Sequence, residues 1–293
     1  MSSSLPVELI KKQGWLEPLA ERLQPAIAAT LSREGAIGPT VANILHGTWL
    51  GHPLHVALTD VPVGSWTAAA VLDFIELGTG NRLAGRGADA AIKIGLFGAA
   101  AAAVTGLADW SKIGPGQARR IGLAHALLNA TATVCYLGSL WARGTHARES
   151  GRRFAFLGFV VANLSAYLGG HLVYNEKLGV DHTAGYAPPQ EFVAVLAEVE
   201  LAENELRRVD AGGMPVLLVR KGQRIYAIAE TCSHLGGPLS EGTLEDLSVR
   251  CPWHGSRFSL EDGRVLEGPS VHVQPILDVR VRDGRVEVRA LNR

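Results

Sequence analysis

The sequence predicts a multidomain chain: an all-α transmembrane four-helix bundle followed by a small all-β domain. Three observations carry that prediction. Four apolar blocks occupy roughly residues 54–77, 90–108, 121–142 and 154–175, and the last two hold no Asp, Glu, Lys or Arg across 22 residues each. After Tyr174 the composition shifts to short β-rich runs. Within that second half, two cysteines and two histidines stand in two tight pairs. The expected division is a leader over 1–45, a four-helix transmembrane domain over 46–184, a linker over 185–190 and a β domain over 191–293.

The 293 residues suffice for two domains with buried cores. Lys plus Arg equals Asp plus Glu at 28 each, and no basic run with interleaved aromatics occurs, so a nucleic-acid partner is not expected. Three cysteines cannot form a disulfide framework. The first thirty residues carry charge throughout (Glu8, Lys11, Lys12, Glu17, Glu21, Arg22), so no cleavable signal peptide is expected.

The leader predicts one helix around residues 15–31. Each of the two uncharged blocks is long enough to cross a bilayer, at about 1.5 Å per residue against a core of about 30 Å. Asp60 and Asp73 interrupt the first block and Lys93 the second. A soluble bundle of well-buried helices is the competing reading, and the two clean spans argue against it. Short connections make neighbouring helices antiparallel. Gly95, Gly98 and Gly106 are expected to allow close helix packing, and Cys135 to be a small packing residue.

The segment Gly185-Tyr186-Ala187-Pro188-Pro189 reads as a linker, because its prolines disfavour helix. Strands are expected over 191–199, 215–220, 224–229, 248–250 and 276–288, punctuated by Lys221-Gly222, Asp262-Gly263 and Asp283-Gly284. Inside this domain Cys232-Ser233-His234 and Cys251-Pro252-Trp253-His254 form a C-x-H…C-x-x-H motif, with 16 residues between His234 and Cys251. Two loops, each offering one thiolate and one imidazole, suit a [2Fe–2S] cluster in which the thiolates hold one iron and the neutral imidazoles the other. Glycines and prolines beside the ligands, among them Gly236 and Pro252, let the backbone bend and aim amides at sulfur. The alternative is a zinc site. Zinc fingers pair Cys with Cys and His with His, not one of each on every loop.

This region resembles the Rieske ferredoxin family. The likeness covers about 190–290 and continues through Leu239-Ser240-Glu241-Gly242, Arg257-Phe258, Asp262-Gly263 and Gly268-Pro269. It implies Cys232, His234, Cys251 and His254 as cluster ligands. The Rieske proteins of cytochrome bc complexes add a cysteine beside each ligand loop; Pro238 and its neighbours and Trp253 occupy those places here. The chain therefore resembles the ferredoxin type without a disulfide. Those proteins also place a hydrogen-bonding serine and tyrosine after the second histidine; here Ser256 is retained and Phe258 stands at the tyrosine position. An intermediate-to-low potential within the Rieske range is expected. Aromatic-ring oxygenases follow this domain with a mononuclear iron domain. Only about 24 residues follow Pro269 here, with one histidine, His272, which reads as a surface strand residue.

The apolar half carries its own polar groups. His55, Asp109, His125 and His171 all fall at the same end of an up-down-up-down bundle. His125, Asn129 and Thr133 share a helical face, as do Asn163, Tyr167 and His171, and antiparallel packing would set the two rows against each other. A polar seam inside a membrane bundle defaults to a functional hypothesis. Three readings stay open: haem b on two imidazoles (His55 with His125, or His125 with His171), a metal or quinone site, and a hydrogen-bonded seam without a cofactor. The segment His52-Pro53-Leu54-His55 with Pro62, Gly64, Asp73 and the Gly106-Leu107-Ala108-Asp109 ending resembles a predicted membrane-protein family of unknown function. Lys and Arg counts on the two sides are close (Arg33, Lys112, Arg119, Arg120, Lys177 against Arg82, Arg86, Arg143, Arg148, Arg152, Arg153). The lack of a signal peptide and of a disulfide favours a multi-pass cell-membrane protein with its Rieske domain on the cytoplasmic side. The expected role is a membrane-anchored electron carrier. The alternatives are a tethered ferredoxin serving a separate reductase or oxygenase, and an iron–sulfur redox sensor.

Overall fold

The structure, a computed structural model, describes residues 5–31 and 38–291. It contains two compact units. One comprises Leu54–Glu176 with the chain ahead of Ala42; the other comprises Ala42–Pro53 and Lys177–Arg293.

Among the described residues there are seven α-helices, all ahead of the first strand: α1 (Leu5–Lys11), α2 (Leu16–Leu31), α3 (Gly38–His46), α4 (Leu54–Thr79), α5 (Arg82–Trp110), α6 (Gln117–Gly144) and α7 (Arg148–Tyr174). The expected helix near 15–31 is α2. It and α1 do not trail as a free leader: Val7, Leu16 and Ala20 bury against Trp110, Ile121, Leu123 and Leu168. Arg119 is ion-paired with Glu17 and donates to Gln24 Oε1 at 3.1 Å. Gln24 in turn donates to the Trp110 and Ile113 carbonyls at 2.8 and 2.7 Å, tying α2 to the turn that follows α5.

The four apolar blocks are α4 to α7. Three of these helices, α5, α6 and α7, are long and apolar enough to cross a membrane; α4 is diluted by Asp60, Asp73 and Glu76. Large apolar side chains face outward along them, with Phe97 81% and Trp141 73% exposed, which a surface facing lipid tolerates and one facing water does not. Close contact between α4 and α5 depends on missing side chains. A Cβ at Gly95 would fall 2.2 Å from Trp66 Nε1, and one at Gly98 would fall 2.6 Å from Val61 Cγ1. Two charges of α4, Asp73 and Glu76, are largely shielded and answered, whereas Asp60 is exposed. Arg143 of α6 is ion-paired with Asp73 and reaches Asp89 of α5 at 2.8 Å. Arg148 of α7 meets Glu76 at 2.6 Å.

The second half folds into a six-stranded antiparallel sheet, order β1-β10-β9-β4-β3-β2, and a four-stranded one, order β5-β6-β7-β8. The first comprises β1 (Val193–Ala197), β2 (Leu206–Ala211), β3 (Met214–Lys221), β4 (Arg224–Ala229), β9 (Ile276–Arg282) and β10 (Arg285–Ala290). The second comprises β5 (Thr243–Glu245), β6 (Ser248–Arg250), β7 (Arg257–Ser259) and β8 (Val265–Glu267). The expected run 276–288 is the β9–β10 hairpin, turned at Asp283-Gly284 where both residues have positive φ. Alternation along β3 feeds two cores: Val216 and Leu218 join Leu277 and Val286, whereas Leu217 and Val219 join Cys232, Leu239, Cys251 and Phe258. The second core therefore ends on the two motif cysteines.

Candidate metal centre

The two motif segments are built alike. Cys232 N–H donates to the Gly237 carbonyl at 2.8 Å and Gly236 N–H to the Cys232 carbonyl at 2.9 Å. In the second, Cys251 N–H donates to the Ser256 carbonyl at 2.8 Å and Gly255 N–H to the Cys251 carbonyl at 3.1 Å. Each loop closes four and five residues after its cysteine, and the fourth residue is a glycine at φ +78° or +79°. That left-handed position is why glycine stands there in both. Gly237 also lies close under the second loop: a Cβ there would sit 2.9 Å from Cys251 Sγ.

The twin loops bring like groups together. The Cys232 and Cys251 thiols share a hydrogen bond. The His234 and His254 rings stand 5.1 Å apart at 80°. The thiol–thiol bond and then burial push Cys232 up, while the same bond brings Cys251 down to about 7. Backbone amides of His234 and Leu235 donate to Cys232, and those of Trp253 and His254 donate to Cys251. Burial first, and then the neighbouring imidazoles of His254, His46, His182 and His272, hold the His234 pKa well below its ordinary value. That keeps the ring neutral, as a metal ligand must be. Its Nδ1 is buried and has no hydrogen-bond partner. Among the described residues no three His, Cys, Asp or Glu side chains group as the ligands of one ion. The partition into a thiol pair and an imidazole pair is what a two-iron cluster asks for, and the donor set fits it.

Around the loops, Ser256 is fully buried and accepts from Ser270 N–H at 2.9 Å. Phe258 is fully buried beside both cysteines in the second core, and Pro252 is exposed at the tip of its loop. The spacing of the motif does not disclose the residues that brace it. Gln274 accepts from Ser233 N–H at 3.1 Å and donates to the Ala229 and Thr231 carbonyls at 2.8 and 2.6 Å. Ser233 Oγ contacts Ser270 Oγ at 2.9 Å and donates to the His272 carbonyl at 2.9 Å. Arg250 donates to the Gly255 carbonyl at 2.8 Å. The only cue to these in the sequence is their nearness to the motif or to Gly268-Pro269. His272 is half-buried at the surface, with Nε2 3.3 Å from the Gly179 carbonyl, and its imidazole adds to the lowering of the His234 pKa.

In the helical unit the structure brings together two of the four expected residues. The His55 and His125 rings are 6.3 Å apart at 89°. Each is fixed through Nδ1, His55 to the Ala102 carbonyl and His125 to the Ser165 carbonyl, both at 2.8 Å. Asp109 and His171 do not join them as a metal-binding group. His171 Nε2 instead faces Glu176 at 3.5 Å, and Glu176 accepts from Gln117 at 2.8 Å. The expected cross-helix seam does not form either. Thr133 and Asn163 donate to carbonyls one turn back on their own helices, Asn129 and Phe159, at 2.9 and 2.8 Å. Such local bonds compete with interhelical ones.

Comparison with known proteins agrees with this division. Residues 191–279 match the family described as the Rieske [2Fe–2S] domain, and residues 51–182 match the family described as predicted membrane protein (DUF2231). Human apoptosis-inducing factor 3 is 34% identical over 122 residues, 41% of this chain, and the chain spans only 20% of that relative's length. Ferredoxin CarAc of Metapseudomonas resinovorans is 33% identical over 100 residues, 34% of this chain and 94% of the ferredoxin. The anthranilate 1,2-dioxygenase ferredoxin subunit of Burkholderia cepacia is 34% identical over 89 residues, 30% of this chain and 82% of the subunit. The twin loops and these relatives together place the chain in the Rieske [2Fe–2S] family through residues 191–279, joined to a DUF2231 membrane-protein domain over 51–182.

Proposed function

We propose that this chain is a membrane-anchored one-electron carrier, with Cys232, His234, Cys251 and His254 as the ligands of a [2Fe–2S] cluster. The observation that carries the reading is the pairing of thiol with thiol and imidazole with imidazole on twin loops, with His234 Nδ1 buried and unpartnered. When bound, the cluster supplies one electron-accepting group of tunable potential. The protein's part is to aim four backbone amides at the two cysteine sulfurs, keep His234 neutral, and present Ser256 O–H toward sulfur. Trp253, 56% exposed and 6.3 Å from the His254 ring, favours electron exchange on that side.

The domains of this proposal are a transmembrane four-helix anchor over 46–184, a linker over 185–190 and the Rieske domain over 191–293. The Rieske domain lies on the cytoplasmic side of a multi-pass membrane protein. Similarity to a dioxygenase ferredoxin subunit supports a reductase as donor and an oxygenase or oxidase as acceptor. Full-length protein purified in detergent tests the reading: two irons and two sulfides per chain are expected. One zinc per chain would overturn it.

A second reading rests on the His55–His125 pair. Both rings are tied to backbone carbonyls through Nδ1, the arrangement that orients a metal-ligating imidazole, and His125 Nε2 would exchange its 3.1 Å contact with Asn129 Nδ2 for the metal. Gly106 and Gly169 make room for the rings themselves, since added Cβ atoms would lie 2.7 and 3.2 Å from them. A haem b there would exchange electrons with the cluster. A Soret band lost in His125→Ala supports it, and cluster absorption alone in the wild-type chain removes it.

A further inference from the structure

Residues 42–50 lie outside both family matches, yet they pack within the β unit rather than with the helices. The reason begins with how α3 ends. Gly47, at φ +85°, donates to the Ile44 carbonyl at 3.2 Å, and Thr48 N–H donates to the Asn43 carbonyl at 3.2 Å. This double closure stops the helix and turns the chain sharply. It leaves His46 almost fully buried, at 2% exposure, and directs Asn43 at one stretch of backbone. Asn43 Nδ2 donates to the Leu266 carbonyl at 3.1 Å, and its Oδ1 accepts from Gly268 N–H at 2.8 Å. A side-chain amide thus continues the hydrogen bonding of β8 where that strand runs out.

Gly268 opens the third loop at the cluster site, and the clasp bears on both ligand loops through it. Two residues on, Ser270 N–H fixes Ser256 Oγ of the second loop, and Ser270 Oγ contacts Ser233 Oγ of the first. The packing is close. A Cβ at Gly268 would stand 3.2 Å from both His46 Cδ2 and Thr48 Cγ2.

We infer that Asn43 and His46 are positioning residues of the iron–sulfur site, clasping the Gly268–Gln274 loop so that Ser270 holds Ser256 and Ser233 against the ligand loops. The inference rests on the ligand assignment proposed above. It means that the stretch immediately ahead of α4, well before the Rieske match begins, sets the environment of the cluster. Neither side chain touches the metal in this account. Asn43 acts through the Gly268 amide, and His46 acts by filling the space beside it.

The test uses the full chain in detergent with Asn43→Ala, Asn43→Asp and Gly268→Ala. Reduction potential, iron content and hydrogen exchange at Gly268 and Ser270 are measured. Asn43→Ala and Gly268→Ala are expected to lower the potential and speed exchange of both amides at wild-type iron content, because a loosened Ser256 donates less well to sulfur. Asn43→Asp keeps the acceptor for Gly268 N–H but turns a carboxylate oxygen on the Leu266 carbonyl, so exchange at Gly268 should be slower than in Asn43→Ala while the added charge lowers the potential. Iron-loaded variants with wild-type potential and wild-type exchange would overturn the inference. If Asn43→Ala cannot retain iron, the other two variants decide it. A wild-type chain without a one-electron couple would instead sink the ligand assignment, an outcome separate from variants that match a redox-active wild type.

Discussion

The molecule contains two pairs of imidazoles set edge to face, His234 with His254 at 5.1 Å and His55 with His125 at 6.3 Å. Their surroundings differ in what the ring nitrogens do. In the β unit, His234 Nδ1 is buried and without a hydrogen-bond partner, and its loop also carries the buried Cys232. In the helical unit both Nδ1 atoms are committed to carbonyls, and His125 Nε2 meets Asn129 Nδ2 at 3.1 Å. A buried nitrogen left without a partner costs free energy unless something outside the chain binds it. A satisfied one holds helices together whether or not a cofactor comes. Proximity of histidines is therefore a weak signal, and the accounting of their hydrogen bonds is a strong one.

That contrast can be broken at its extremes. Cys251→Ser is expected to abolish cluster absorption altogether, read from the visible spectrum and iron content, whereas His125→Ala should leave the iron of the β unit unchanged. A smaller effect belongs to the charges that anchor the bundle. Arg143→Ala strands the buried Asp73, whereas Asp89 keeps Arg148 at 3.2 Å, and losing one partner of a buried ion pair costs about 3–5 kcal/mol. Thermal unfolding in detergent should show the helical transition fall while the cluster signal persists to its usual temperature.

Finer changes sharpen the picture around sulfur. Removing a hydrogen bond to a charged acceptor is worth about 1.5 kcal/mol, or about 60 mV for one electron. Ser256→Ala should lower the potential by that order and Phe258→Tyr should raise it, both read by protein-film voltammetry. The smallest effect is expected at His125 itself. Its bond to the Ser165 carbonyl joins α6 to α7, and single polar contacts between membrane helices average about 0.6 kcal/mol. A loss of several kcal/mol in His125→Ala would mean that the pair holds a bound group.

Legibility in the sequence follows the same contrast. The twin loops could be read because the four candidate ligands sit in two short local motifs, where backbone closure fixes the loop shape. The hairpin at Asp283-Gly284 and the buried strand β3 were legible for the same local reason. The three-residue strands β5, β7 and β8 were not, since a period of two needs more residues to show. β2 also escaped, because its exposed arginines 207 and 208 mask the alternation. In the helical half the register of one helix against another decides contacts. The expected row of Asn163, Tyr167 and His171 against His125, Asn129 and Thr133 dissolved into bonds within each helix. Only His125, through Ser165 of α7, reached across. The clasp from Asn43 to Gly268 spans 225 positions and left no local trace in the sequence.

The central claim is mixed thiolate–imidazole ligation of a two-iron cluster, and a redox titration of the full-length protein tests it most directly. The account predicts a one-electron couple within about −150 to +300 mV, the range that two histidine ligands confer. A couple near about −400 mV, the value of all-cysteine plant-type ferredoxins, would contradict it.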